Sequence, residues 1–368
     1  MGSGPHAPIK GRGATFNPEN RFRRDTREAV DDGWTPPPAE SEGEDQELPP
    51  LKTTVMIQRS RTIIARNTSP DIPFTQSINP YQGCEHGCVY CYARPTHAFL
   101  DLSPGLDFET KLFAKPNAAE LLVEELAKPG YVCESIAMGT NTDPYQPIER
   151  EWKTTRQILE VLSACEHPVS IVTKSALVER DIDLLAPMAE KNLAMVFLSI
   201  TTLDRDLARK LEPRAAAPHR RLAAVKALSD AGIPVGVMTA PIIPQLTDKD
   251  LEAILEAASA NGASSAGWTL IRLPNEVKEL FRDWLAQHYP LRAAHIMSVI
   301  QHMRGGRDND PQFGSRMRGQ GLFADLIARR FALACRRLGL NREDRKTLDT
   351  SRFKPPRTEA QRAQLTLF

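Results

Sequence analysis

The sequence has 368 residues, with 47 Lys and Arg against 46 Asp and Glu, a net charge of +1, and 41% hydrophobic residues. That balance excludes a chain-wide basic footprint for nucleic acid and a composition too polar to fold, and the length suits one barrel-sized domain with extensions. No run approaches the roughly 18 apolar residues of a membrane span, so no membrane partner is expected.

The N-terminus MGSGPHAPIKGRGATFNPENRFRR lacks the apolar core of a secretory signal. The protein is therefore expected to be cytoplasmic with reduced thiols, a setting in which clustered cysteines more often bind metal than pair. Residues 1–50 read as a flexible N-terminal extension. TPPPAESEGEDQELPP, residues 35–50, is Pro-rich and acidic, with too few apolar groups to offset the entropy of ordering. The basic stretches ahead of it, GRGATFNP and ENRFRRDTR, fit either a solvated tail or an arm docked on the domain or on an anionic partner.

Residues 51–290 read as the core. TTVMIQRSRTIIARN, residues 53–67, holds two short β-rich runs that predict a hairpin. Strands are predicted at 74–80, 135–139, 169–173, 194–200, 234–240 and 267–273, all short and apolar on both faces. Amphipathic helices are predicted between them at 117–128, 154–165, 181–191, 219–232 and 248–262. Strands alternating with helices give right-handed parallel βα units, hence an α/β fold with a partial (β/α)6 TIM-like barrel. Such a barrel carries its chemistry in the loops at the strands' C-terminal ends. Residues 291–340 read as a C-terminal helical segment, with an apolar stripe over 321–340, and residues 341–368 as a tail.

Directly after the first barrel strand stands CEHGCVYCY, which puts Cys84, Cys88 and Cys91 inside eight residues. Thiolates are soft ligands for zinc or iron–sulfur clusters. A structural zinc site needs four ligands, and His86 is poorly placed between two of the others. Cys133, Cys165 and Cys335 stand alone, and the latter two read as small core residues. Three thiolates on a [4Fe–4S] cube leave one iron open, whereas a cluster used only for electron transfer normally has a fourth cysteine. The alternative is a zinc or iron–sulfur metalloprotein with a structural or sensing role.

The C-x3-C-x2-C run with Tyr90 at its aromatic position, following the first strand of a βα barrel, resembles the radical S-adenosylmethionine (radical SAM) superfamily. INPYQGCEHGCVYCYAR is most similar to the branch that includes spore photoproduct lyase and the DNA repair photolyase-like proteins. The flanking GRGATFNP and MRGGRDNDPQFGSRMRGQG resemble an uncharacterised bacterial subgroup of it. The resemblance implies a [4Fe–4S] cluster on the three cysteines, with S-adenosylmethionine chelating the open iron. It also implies reductive cleavage to a 5'-deoxyadenosyl radical that takes hydrogen from a substrate, and an external one-electron reductant of flavodoxin or ferredoxin type.

The resemblance assigns cofactor contacts as well. Gly139, Thr140, Asn141, Thr142 and Asp143, after the second strand, stand where the family holds the amino group of S-adenosylmethionine. Lys174 and Arg214 would meet the methionine carboxylate, Ser199 and Thr201 the ribose and carboxylate, Thr239 the adenine, and Tyr90 and Tyr92 would pack on adenine. Spore photoproduct lyase returns hydrogen through a cysteine near the end of strand two, where this chain has Thr140 and Thr142, so that activity is not carried over. A rim of Arg94, Lys174, Arg214, Arg220 and Arg272, with Phe313 as a stacking platform, makes nucleic acid one candidate substrate.

Overall fold

The computed structural model describes residues 6–23, 51–342 and 347–356. The acidic Pro-rich stretch at 35–50 lies outside the described residues. The described chain enters the body through β1 (Thr54–Ile57) and β2 (Ile64–Arg66), but these do not pair as a hairpin. Strand β2 pairs antiparallel with β3 (Gln76–Ile78) at one edge of the main sheet. Strand β1 joins a separate small sheet with β4 (Tyr81–Gln82), which leads into the cysteine loop, and β5 (Lys111–Ala114) beyond it. Each run finds a better apolar partner than the other, which is the reason the hairpin reading fails.

The main sheet continues through β6 (Ile136–Met138), β7 (Val169–Thr173), β8 (Ala194–Ser199), β9 (Val235–Ile242) and β10 (Ser265–Leu270). The order is β10-β9-β8-β7-β6-β3-β2, and the six strands from β3 to β10 are all parallel. All six overlap the strands read from the sequence. The fold is mixed α/β with an open parallel sheet whose outer strands are β10 and β2.

Helices α1 (Leu106–Thr110) and α2 (Ala118–Leu126) precede β6, while α3 (Glu149–Trp152) and α4 (Thr154–Ala164) follow it. Then come α5 (Ile182–Glu190), α6 (Arg205–Leu211), α7 (Pro218–Asp230) and α8 (Leu251–Ala260). Each long helix turns an apolar stripe inward, as Ile158, Leu159 and Leu162 of α4 show. Helix α6 was not read from the sequence; Asp204 caps it by accepting from the amides of Asp206 and Leu207.

After the barrel come α9 (Val277–His288), α10 (Ala293–His302), α11 (Ser315–Arg318) and α12 (Leu322–Leu338). Helix α12 packs on α8, where Arg330 holds Glu252 with two bonds of 2.7 and 2.6 Å. Helices α9 and α10 build a second apolar core together with Cys88, Val89 and Tyr90 of the cysteine loop. Its centre is Trp284, 1% exposed, whose indole donates to the Lys210 carbonyl at 3.0 Å. Truncating a side chain buried this deeply costs about 3–5 kcal/mol, so these helices help fix the loop.

The composition of the first fifty residues predicted flexibility, yet residues 6–23 lie against the body, with Arg12, Ala14 and Asn20 buried. Asn20 donates to the Ala98 carbonyl at 2.9 Å, and Ser103 Oγ donates to that of Pro18 at 2.7 Å. Specific polar contacts replace the missing apolar area. At the opposite end of the sheet, Lys354 N donates to the Cys165 carbonyl, and Phe353 packs edge-on to His167.

Candidate functional site: a three-cysteine loop at the sheet's C-terminal end

The loop from Gly83 to Ala93 folds back on itself with few bonds of its own, Cys91 N to Cys88 O at 3.2 Å among them. It is held from outside. The Cys84 amide donates to Phe108 O at 2.9 Å, and the Val89 amide to Leu211 O at 3.1 Å. Gln146, fully buried, accepts from the Glu85 amide at 2.9 Å and donates to Gly83 O at 3.1 Å. Gly87 takes a φ of +67°, which favours glycine, and a side chain there would meet the Glu109 carboxylate.

Arg94 and Glu109 form a clamp behind the loop, both with no exposed surface. The Arg94 guanidinium donates to Cys88 O at 2.9 Å, Gly87 O at 3.2 Å, the carbonyls of Pro104 and Gly105, and Glu109 Oε1 at 2.5 Å. Glu109 also accepts from the amides of Gly13 at 3.0 Å and Ala14 at 2.8 Å, and Arg12 donates to its carbonyl at 2.8 Å. The GRG stretch is thus part of the wall of the cysteine loop. Arg94 was read as a rim residue, but its donors are consumed inside the protein.

In front of the loop, Tyr90 donates to Glu212, which accepts from Thr201 Oγ1 at 2.5 Å and pairs with Arg221. Arg221 also donates to Ser199 O at 2.9 Å and Ala216 O at 2.6 Å. It is only 1% exposed. Burial alone would raise the Glu212 pKa, but Arg221, Lys174 and the hydroxyls of Thr201 and Tyr90 hold it at about 2. Lys174 lies over the Tyr90 ring, 5.9 Å from its centre. Burial opposes its charge, but the neighbouring Cys88 and Glu212 raise its pKa.

The turn after β6 is equally built. Gly139 has a φ of +87°, and an added Cβ would stand 1.9 Å from Val172 O. Asn79 Oδ1 accepts from the Asn141 amide at 3.0 Å, while Thr142 Oγ1 donates to Tyr81 O at 3.0 Å. Asp143 accepts from Thr173 Oγ1 at 2.6 Å, from the amides of Lys174 at 2.8 Å and Tyr145 at 2.9 Å, and faces His86 Nδ1 at 3.3 Å. Burial works against the Asp143 charge, but His86 and these donors bring its pKa to about 2.

Cys84 and Cys88 favour their protonated forms. Burial, then Asp143 and Cys88, push Cys84 well above the usual thiol range. Burial pushes Cys88 up to about 12, with Lys174 pulling the other way. A soft metal group that takes thiolates must displace those protons, and Lys174 supplies positive charge beside them. Among the described residues no three His, Cys, Asp or Glu side chains converge on a point where one ion could sit.

Residues 78–258 match the model of the Radical SAM superfamily. The chain carries a radical SAM domain. An uncharacterized protein of Mycobacterium tuberculosis is 39% identical over 221 residues, 60% of this chain and 65% of that one, so the match spans about two thirds of the relative's length. An uncharacterized protein of Methanocaldococcus jannaschii is 32% identical over 171 residues, 46% and 61% of the two chains. A solved structure of spore photoproduct lyase complexed with dinucleoside spore photoproduct aligns with a TM-score of 0.47 at 17% identity, covering 64% of this chain and 66% of that one.

Within the radical SAM domain the structure brings Tyr90, Lys174, Ser199 and Thr201 together around Glu212 and Arg221. Thr239 lies one strand away, its hydroxyl donating to Gly267 O at 3.2 Å, and Ser199 Oγ donates to Ala240 O at 3.1 Å. Tyr92 is exposed, with its hydroxyl on Thr140 O and Arg272 over its ring at 5.5 Å. Arg214 stands apart, exposed and paired with Glu85 at 3.1 Å. Sequence reasoning missed Glu109 and Gln146. No local pattern marks either, because their partners lie far along the chain.

Proposed function

We propose that this protein is a radical S-adenosylmethionine enzyme, with a [4Fe–4S] cluster held by Cys84, Cys88 and Cys91. The observation that carries the reading is a buttressed loop offering three thiols, with no fourth cysteine in the loop. Of the loop's other candidate ligands, His86 turns its Nδ1 to Asp143, and Glu85 accepts from Thr53 and pairs with Arg214. Cys133 and Cys165 precede β6 and β7 at the far end of the sheet.

When bound, the cluster would supply the electron that splits the sulfonium C–S bond of S-adenosylmethionine, and the resulting 5'-deoxyadenosyl radical would take hydrogen from substrate. The chain's own residues bind and orient. Lys174 offers an ammonium beside the cysteines for a carboxylate. The turn Gly139–Asp143 offers backbone carbonyls and the unused lone pairs of Thr142 and Asp143. Ser199, Thr201 and Thr239 line the adjoining strand ends. The apolar packing of α9 and α10 on Tyr90 keeps water from the back of the loop.

The substrate reading that fits the rim best is nucleic acid. Arg316 lies 4.4 Å over the exposed Phe313 ring, and Arg272 lies over the exposed Tyr92 ring. Arginine–aromatic platforms of this kind accept stacked bases and nearby phosphates.

Anaerobic purification followed by iron and sulfide analysis tests the cluster, and 5'-deoxyadenosine formed with dithionite tests the cleavage. About four irons and four sulfides per chain together with cleavage are expected. A single zinc ion per chain, or a full cluster with no cleavage, would overturn the proposal. Binding of a fluorescent single-stranded oligonucleotide by wild type and Phe313→Ala tests the substrate class.

A further inference from the structure

Gly13 of the docked arm covers Gly87 of the cysteine loop, and Gly13 is itself buried. Pro213 Cγ lies 3.3 Å from where a Gly87 Cβ would stand, and Pro213 also lines an open cleft of about 510 Å³. Pro213 therefore touches both the loop and that cleft.

The cleft adjoins a second of about 550 Å³, sharing Ala215 and Ala216 with it. Small residues make the common floor, and arginines make the rim. Arg205 and Arg209 wall the first cleft, and Arg150, Arg180, Arg214 and Arg220 the second. The carboxylates that line them are Glu179, Asp206 and Glu212, the last already spent on Arg221. Arg180, Arg214 and Arg220 each have an acidic partner. Arg205 and Arg209 are exposed and form no ion pair among the described residues. The surface beside Pro213 is thus concave and cationic, and neither cleft is lined by the cysteines, Ser199 or Thr239.

We propose that this face, centred on Arg205, Arg209 and Pro213, docks an acidic one-electron carrier protein of the ferredoxin kind, a proposal that rests on the reading of the site as a radical S-adenosylmethionine centre. One electron moves and no bond or proton does: the reduced carrier is oxidised, and the iron–sulfur group on the three cysteines gains the electron. Basic residues at the rim steer an acidic partner and set its approach, and Pro213 is the contact between that face and the loop.

The test uses the reconstituted full chain and a reduced plant-type ferredoxin, with cluster reduction followed by stopped-flow absorbance and by the electron paramagnetic resonance signal. Arg205→Glu combined with Arg209→Glu is expected to slow reduction by ferredoxin about tenfold at low ionic strength, within the range that steering supplies. Added salt should slow the wild type and leave the double variant almost unchanged. Reduction by dithionite, and 5'-deoxyadenosine formed with it, should be equal in both proteins, which shows that the variant is folded and loaded. Equal ferredoxin rates for the two proteins, or a wild-type rate indifferent to salt, would overturn this inference alone. A wild type that holds no reducible cluster would overturn the proposed function and this inference together.

Discussion

Replacing Glu109 with Gln keeps the shape of the clamp and removes its charge. Glu109 Oε1 serves both Arg94 at 2.5 Å and the Ala14 amide at 2.8 Å, while Oε2 serves the Gly13 amide at 3.0 Å. The single amide oxygen of glutamine will take the place of Oε1, where two donors meet. Its NH2 group then faces the Gly13 N–H, donor against donor, and orphaning a buried amide costs about 1–3 kcal/mol. Arg94 keeps its four carbonyl partners but loses the carboxylate, and breaking a buried ion pair costs about 3–5 kcal/mol when nothing compensates. With the carbonyls bearing part of that charge, the total expected is about 3–5 kcal/mol. Urea unfolding of the apoprotein at neutral pH measures it. A cycle with Arg94→Gln and the double variant should show coupling above about 1 kcal/mol, because both single variants break the same pair. A loss under about 1 kcal/mol, or strict additivity, would refute the account of the clamp.

Three further outcomes follow from other contacts. Gly13→Ala places a Cβ 1.8 Å from Gly87 O, so the arm must shift, and iron retained after reconstitution and desalting should fall, roughly within the 10–100-fold loss of metal affinity seen for supporting residues. Cys88→Ala should lose both iron and 5'-deoxyadenosine formation, while the far-ultraviolet circular dichroism of the apoprotein stays as in wild type. His167, fully buried, shares a hydrogen bond at Nε2 with the Tyr131 hydroxyl at 2.9 Å, and burial lowers its pKa from 6.5 to about 4. The unfolded chain takes up that proton near pH 6.5 and the fold only near 4, so stability falls as pH drops through this window. The loss reaches about 3 kcal/mol. His167→Gln should flatten that slope in denaturation measured at pH 7 and at pH 4.5.

Much of this protein is legible without coordinates. Periodicity alone places the six parallel strands and five of the helices, because a strand such as Ile136–Met138, buried at every position, admits few other residue patterns. The crowding of Cys84, Cys88 and Cys91 names the site, since thiolate chemistry is local to one loop. What the tertiary structure alone decided is what stands around those thiols. Arg94 reads as a rim charge, yet it is buried because Glu109 comes to meet it, and Arg221 is buried against Glu212. GRGATFNP reads as part of a flexible extension, yet Gly13 closes on Gly87, 74 positions away, through backbone contacts that no side-chain pattern records. A short-range pattern can show which atoms are able to bind a metal. Whether their surroundings are charged, dry and held in place depends on segments far apart in sequence, and only folding brings those together.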